Sequence, residues 1–585
     1  MKLNSITMKT ILQLLIFLFI TSCDTENKNV STSRIDENYL IQDVLITTQD
    51  GAKVSAIVVR NNKEEIPKPV ILQSTIYVRD KGRDLKSLKE SVDRGYVGVI
   101  TYARGKYLSP DEIWPYENDA NDTYDVIDWI SKQRWCDGRI GMFGGSYNGF
   151  TQWASLKKPH PALKTIVPYV ANRPGMGLPM ENNVFINSNY EWAFYVGNNK
   201  HLDTIVGTDR QKFRNSMFTW WETGIAYHKR DSLDSLPNKW FQKWIKHPDF
   251  DEYWQKMAPY KEDFAKIDIP ILSIDGYYND SQNSGLYYLS EHYNYNPAAE
   301  HYLIIGPYDH LGAQRKGSKE ISGYRVDPDA LIDTNEITYE WFDYIFNNAK
   351  RPEKLKDKIN YQVMGANKWK SASTLDSMSN NSFKFYLTNH KTNHFYSLSE
   401  KKPSENNFLY QEVDFANREI WNNDYYPGQI IRDYVDTGSG FNFISEPFEN
   451  SIEVNGSFSG ELKVSINKKD FDYGVTLYEM LPDGKLFHLS YIVGRASYAK
   501  DITKRELLTS NKIETIPFSN THLVSKKIRK GSRLLVYVNV NKNPFSELNY
   551  GTGKAVRNET IKDAGQPLTV KWYCNSFVVI PIWKD

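Results

Sequence analysis

Two hydrophobic rhythms divide this chain, and the point where one gives way to the other limits what it can fold into. From about residue 38 to 170, short apolar runs such as Pro69-Val70-Ile71-Leu72, residues 96–100 and residues 165–170 alternate with helical stretches such as 124–132. Alternating strand and helix predicts a largely parallel sheet covered on both faces. Residues 173–262 break that rhythm. They are helical in character and hold six of the fifteen tryptophans: Trp192, Trp220, Trp221, Trp240, Trp244 and Trp254. The first rhythm resumes at residues 269–274 and 301–306 and closes in a helix carrying Ile337, Trp341 and Tyr344-Ile345 on one face. After about residue 355 the period becomes two: Leu462, Val464 and Ile466 alternate, then Val475 and Leu477 before Pro482-Asp483-Gly484, then Leu534, Val536, Val538 and Val540. Many short strands between turns predict a β-sandwich or jelly roll. The expected layout is an α/β domain (38–172 and 263–354), an inserted helical cap (173–262) and an all-β domain (355–585).

The N-terminus reads as an export signal. Lys2 and Lys9 precede ten apolar or near-apolar residues (11–20), then Thr21-Ser22-Cys23. Such a core is short for a membrane span and fits a cleaved signal over residues 1–22. Ile20-Thr21-Ser22-Cys23 resembles a bacterial lipobox, in which Cys23 is acylated with palmitate-type chains and becomes the mature N-terminus. Several chains on one residue anchor stably where one does not. Residues 23–37 are then a polar tether, and the expected location is the cell envelope, periplasmic or surface-facing. The other two cysteines, Cys136 and Cys574, make no C-x-x-C pair, so zinc ribbons and thioredoxin-like sites are excluded. Lys plus Arg is 72 against 71 for Asp plus Glu, a balance that argues against a nucleic-acid partner.

The chemistry centres on Met142-Phe143-Gly144-Gly145-Ser146-Tyr147-Asn148-Gly149, between a short apolar run and a helical one. A nucleophile elbow needs a serine on a sharp strand-to-helix turn with small neighbours. Gly144 at −2 satisfies this; at +2 stands Asn148, so the generic G-x-S-x-G is not matched. Serine attack also needs a base and an acid to hold it, which in α/β-hydrolases follow in the order Ser, Asp/Glu, His, each after a core strand. Asp275-Gly276-Tyr277-Tyr278-Asn279-Asp280 follows the run ending at Ile274, and Gly306-Pro307-Tyr308-Asp309-His310 follows the one ending at Ile305.

With residues 135–149, Tyr77, Ala103-Arg104-Gly105, residues 306–310 and residues 363–369, the chain resembles the CocE/NonD hydrolases from about residue 38 to its end. That group includes cocaine esterase, glutaryl-cephalosporin acylases, α-amino acid ester hydrolases and, more distantly, X-Pro dipeptidyl peptidases. The resemblance implies an α/β-hydrolase domain with a helical cap and a C-terminal jelly roll, acting without metal or cofactor. It implies Ser146 as nucleophile, His310 as base, and an oxyanion held by the Tyr77 hydroxyl and the Tyr147 backbone N–H. The family's triad aspartate aligns with Asn279, so the expected acid is Asp280, one residue on. Two acids that pair a substrate ammonium in the α-amino acid ester hydrolases are replaced by Ser281 and Gln282, which disfavours that specificity. The family's Asp-x-Arg-Gly reads Tyr102-Ala103-Arg104-Gly105 here, a difference with no meaning read from it. The expected function is an exported, lipid-anchored serine hydrolase of a small acyl ester or amide. The alternatives are an X-Pro peptidase and a catalytically weak ligand- or glycan-binding lipoprotein.

Overall fold

The computed structural model describes residues 30–79, 81–203, 209–422, 426, 428–434 and 439–584. The expected signal peptide and Cys23 lie outside the described residues.

Eleven strands form one sheet in the order β1-β2-β3-β5-β4-β6-β7-β10-β11-β14-β15. They are β1 (Val30–Asp36), β2 (Tyr39–Thr47), β3 (Lys53–Asn61), β4 (Lys68–Thr75), β5 (Val97–Tyr102), β6 (Cys136–Gly145) and β7 (Leu163–Tyr169), then β10 (Ile271–Tyr278), β11 (His301–Asp309), β14 (Ile359–Val363) and β15 (Lys368–Ala372); two small hairpins, β8 (Met180–Glu181) with β9 (Val184–Phe185) and β12 (Glu320–Ile321) with β13 (Tyr324–Arg325), stand apart. From β5 to β14 all neighbours are parallel, and β1, β2, β3 and β15 pair antiparallel at the edges.

The central strands read as unbroken apolar runs because helices cover both faces. Met142, Ile166 and Ile271 pack toward Ile127, Trp153 and Leu289 of the helices Asp119–Ser131, Tyr147–Ser155 and Gln282–Tyr295. Their neighbours Phe143, Val167 and Leu272 point the other way, against Trp341, Phe342 and Phe346 of the helix Thr334–Asn347. Each of these buried side chains contributes about 1.5–3 kcal/mol by leaving water.

Residues 173–262 hold the hairpin β8–β9 and the helices Ser188–Gly197, Arg210–Thr223, Arg230–Asp234, Lys239–Trp244 and Glu252–Gln255. Five of the six tryptophans are buried, and a buried indole usually finds a partner for its N–H. Trp240 donates to Ile113 O (2.8 Å), Trp254 to His247 O (2.8 Å) and Trp221 to Arg418 O (3.0 Å). The cap is thus tied down to the α/β domain on one side and to the β domain on the other.

The remaining strands, from Asn381–Thr392 to Phe577–Trp583, form a 14-stranded, mainly antiparallel assembly. It joins the α/β domain through Met364 N–H to Ser525 O (3.0 Å) and Lys527 N–H to Met364 O (2.9 Å). It joins the cap through Asn187 N–H to Phe545 O (2.8 Å) and Glu547 N–H to Phe185 O (2.9 Å). Cys136 and Cys574 are buried and unpaired.

Two boundaries differ from expectation. Val30–Asp36, expected in the tether, forms β1 against β2. β1 is held by backbone pairing to β2 while residues 32–35 stay exposed, so its polar sequence carries no apolar period. The sheet also runs beyond residue 354, to Ala372, through β14 and β15. Residue 355 therefore does not end the domain: β14, parallel to β11 and buried throughout, extends the sheet, and β15 closes its edge antiparallel.

Candidate active site

Ser146 stands between β6 and the helix Tyr147–Ser155, at φ 64° and ψ −122°. A non-glycine residue holds such a backbone only when its surroundings over-determine it. Here Ser146 N–H donates to Tyr169 O at 3.0 Å, and Ser146 O accepts from Gly149 and Phe150 N–H at 3.0 Å each. Gly144 has φ 138°, and a Cβ there would come within 2.8 Å of Asn148 Cβ. A Cβ on Gly145 would overlap the side chain of Gln314. Gln314 in turn donates from Nε2 to His310 O at 2.6 Å. The small residues of the elbow therefore let the histidine loop pack onto it.

His310 directly follows β11, and the pairing of Tyr278 with Asp309 sets the ends of β10 and β11 side by side. Two side chains from the β10 loop meet its Nδ1. Asn279 Oδ1 is hydrogen-bonded at 2.9 Å, and Asp280 Oδ1 lies 3.3 Å away, in ion-pair range but out of line for a hydrogen bond. Asp309 is turned away, accepting from Leu311 N–H (3.1 Å) and Gly312 N–H (2.6 Å). Burial works against the imidazolium, but the Asp280 carboxylate outweighs it, with Asp275 and Asp309 adding. The His310 pKa is raised above its ordinary value. Burial likewise opposes charge on Asp280, and His310 more than offsets it, leaving that carboxyl below its usual range.

The Tyr77 phenol oxygen accepts from Trp192 Nε1 at 3.2 Å, and Ser146 adjoins it closely enough to favour its ionised form. With its oxygen accepting from the indole, its own proton is free to point at the serine. Burial raises the Tyr77 pKa, so it stays a neutral donor. Tyr147 contributes only its backbone to this side, since its hydroxyl donates to Asp119 Oδ2 (2.7 Å) and accepts from Tyr116 N–H (3.1 Å). Its N–H lies in the first turn of a helix, where no intrahelical acceptor exists. Tyr77 O–H and Tyr147 N–H thus flank Ser146 from two elements, and the two rings meet edge to face at 6.2 Å.

Beyond Asp280 opens a cavity of about 200 Å³ where all three parts of the molecule meet. The cap supplies Glu181, Val184 and Ile186, the β10 loop Asp280, and the β domain Tyr491 and Phe545, among others. Ser281 and Gln282 do not face it as charges would. Gln282 bonds Leu523 on both sides, accepting from its N–H (2.6 Å) and donating to its carbonyl (3.0 Å), while Ser281 Oγ lies 3.4 Å from Asn279 Oδ1. Sequence reasoning missed the roles of Trp192, Gln314 and the β-domain wall of the cavity, brought in by contacts across more than a hundred residues or by a loop with no motif, and that of Asp119, a helix-start residue whose partner Tyr147 lies 28 residues on. Asp275, part of the same run, carries no role in the sequence reading; its distance of four residues from Asn279 is the available signal.

Residues 50–312 match the family model described as X-Pro dipeptidyl-peptidase (S15 family), and residues 353–568 match the X-Pro dipeptidyl-peptidase C-terminal non-catalytic domain. The cocaine esterase of Rhodococcus sp. (strain MB1 Bresler) is 23% identical over 568 residues, spanning 90% of this chain and 96% of the relative. A solved α-amino acid ester hydrolase superposes with TM-score 0.77 at 20% identity, covering 96% of this chain and 99% of its own. An aminopeptidase from a marine-sediment Thaumarchaeota archaeon superposes with TM-score 0.76 at 18% identity, covering 94% and 99%.

Proposed function

The chain belongs to the CocE/NonD family and is a serine hydrolase; within that family, we propose that it is an exported, lipid-anchored esterase or acylase that works through an acyl-enzyme on Ser146. The observation carrying this reading is the strained Ser146 backbone at the turn after β6, with His310 at the end of β11 held by Asn279 and Asp280. In the reaction His310 takes the Ser146 proton as Oγ attacks the acyl carbon, then returns it to the leaving alcohol or amine. Tyr77 O–H and Tyr147 N–H receive the charge that develops on the acyl oxygen, each donor worth about 3–4 kcal/mol. Asp280 carries the charge that balances the imidazolium. Water then repeats the sequence on the acyl-enzyme. The X-Pro peptidase alternative is not favoured, since a relative matching over most of the chain is a cocaine esterase.

Membrane attachment through an acylated Cys23 is part of the same proposal and rests on the lipobox-like run. The catalytic part is tested with chromogenic esters and an organophosphonate probe. Turnover should vanish in Ser146→Ala, and the label should map to the peptide holding Ser146; retained turnover or a label elsewhere overturns the nucleophile. The anchor is tested by palmitate-analogue labelling, which Cys23→Ser should abolish.

A further inference from the structure

The base of a serine hydrolase must keep its proton on the nitrogen away from the serine, and here the side chain bonded to that nitrogen is an amide. An amide has two unlike ends. Asn279 Oδ1 toward His310 accepts the Nδ1 proton and leaves the Nε2 lone pair for Ser146. Turned by half a rotation, the same residue would present its NH₂ to Nδ1 and favour the tautomer that is useless to the serine. Something must decide which end faces the histidine.

The side chain that does so is Asp275. It is 2% exposed, on β10, and among the described residues no group of opposite charge is bonded to it. Its Oδ1 accepts from Asn279 Nδ2 at 2.8 Å and from Gly276 N–H at 2.8 Å. Its Oδ2 is pressed against Gly285, where a Cβ would overlap it. Asn279 is itself fully buried, so its NH₂ has no water to turn to. Ser281 N–H and Oγ lie 3.4 Å from Asn279 Oδ1 and favour the same orientation, at longer range. Whether or not Asp275 is ionised it remains an acceptor at Oδ1, and burial pushes its pKa up to about 7 against the Gly276 and Asn279 bonds.

We propose that Asp275 is a positioning residue of the hydrolase, fixing the Asn279 amide so that its oxygen, not its nitrogen, faces His310. This rests on the reading of Ser146 and His310 given above. Asp280 and Asp275 then divide what one triad acid does elsewhere, Asp280 balancing charge at the rim and Asp275 setting the tautomer from behind through Asn279.

The asymmetry of the amide provides the test. Asp275→Ala in the native background should lower kcat at least about a hundredfold with KM little changed, as a wrongly held tautomer does. In an Asn279→Asp background the same change should cost under about threefold, because a carboxylate presents an acceptor whichever way it is turned. Asp275→Asn, which keeps an oxygen for both donors, should stay within about tenfold of wild type. Equal losses in both backgrounds would mean that Asp275 merely supports the loop, and a harmless Asp275→Ala would remove its role; either overturns the proposal. A loss in Asp275→Asn as large as in Asp275→Ala overturns it too, by pointing to charge rather than orientation. Should Asp275→Ala fail to fold by circular dichroism, Asp275→Leu repeats the cycle with closer volume. Ser146→Ala and His310→Gln run alongside: turnover in either overturns the hydrolase reading itself, whereas with both inactive the cycle judges Asp275 alone.

Discussion

Gly145 shows how far one missing methyl reaches. Its Cα faces Gln314, and Gln314 holds the His310 carbonyl. Gly145→Ala should push that loop outward and lower kcat about tenfold to a hundredfold, a misplacement of about 1 Å being enough; stopped-flow acylation rates on an activated ester would show it. Asp280 bears on pH instead. Its charge is the chief influence raising the His310 pKa, and the base must be neutral to act, so wild-type activity climbs as pH passes that raised pKa. Asp280→Asn should move this acid limb to lower pH. The plateau should also fall, by about tenfold to a hundredfold, short of the roughly 10⁴ seen when a triad acid is replaced outright, because Asn279 still holds the tautomer. An unmoved acid limb in a kcat/KM–pH profile would mean that Asp280 does not sense His310.

At the scale of elements, the contact between β11 and the helix Gln282–Tyr295 rests on two uncharged histidines. His292 Nε2 faces Ile267 O at 3.1 Å, the two Nδ1 atoms face each other at 3.2 Å, and His301 Nε2 faces Ser273 Oγ at 2.8 Å. One tautomer pattern satisfies all three: His292 donates to Ile267 O, His301 donates to His292, and Ser273 donates to His301. Burial lowers both pKa values, His301's far below the ordinary 6.5. Below pH 6.5 the unfolded chain therefore binds protons that the folded one refuses, so this pair makes stability fall as the solution is acidified. His301→Gln should be less stable near pH 8 yet show a smaller loss between pH 6.5 and 5; urea midpoints across that range measure it. Parallel slopes for the two proteins would contradict the neutral pair.

The whole molecule is needed to make the cavity. Tyr491 and Phe545 reach it from the β domain, beside Asp280 but away from the serine turn. Phe545→Ala should raise KM for esters with a bulky apolar group by about tenfold, while kcat for an acetyl ester changes under about threefold. Equal effects on both substrates would place Phe545 outside the substrate's reach. The β domain also holds the loop that carries Asp280, since Gln282, two residues further on, has its amide bonded on both sides to Leu523. A chain ending near residue 375 should accordingly be inactive and poorly soluble, which expression and an ester assay would establish.

By itself the sequence determined the order of the layers and the positions of Ser146 and His310. Strand period, helix period and a glycine-rich turn are local properties, written within a few residues of where they act. The change of period near 355 was legible too, yet it does not mark the domain boundary, because β14 pairs parallel to β11 and is buried throughout while β15 closes the edge, and which strand pairs with which is not written in the local pattern. What only the tertiary structure decided is which groups serve the histidine. Asn279 and Asp280 are adjacent in the chain and both reach Nδ1, so no spacing rule chooses between them. Their division of labour depends on Asp275 behind one and an open cavity beside the other, and both surroundings are assembled from segments far apart in the chain. Orientation of an amide and the charge felt by an imidazole are set by what lies within a few ångströms in space, and that neighbourhood exists only once the chain has folded.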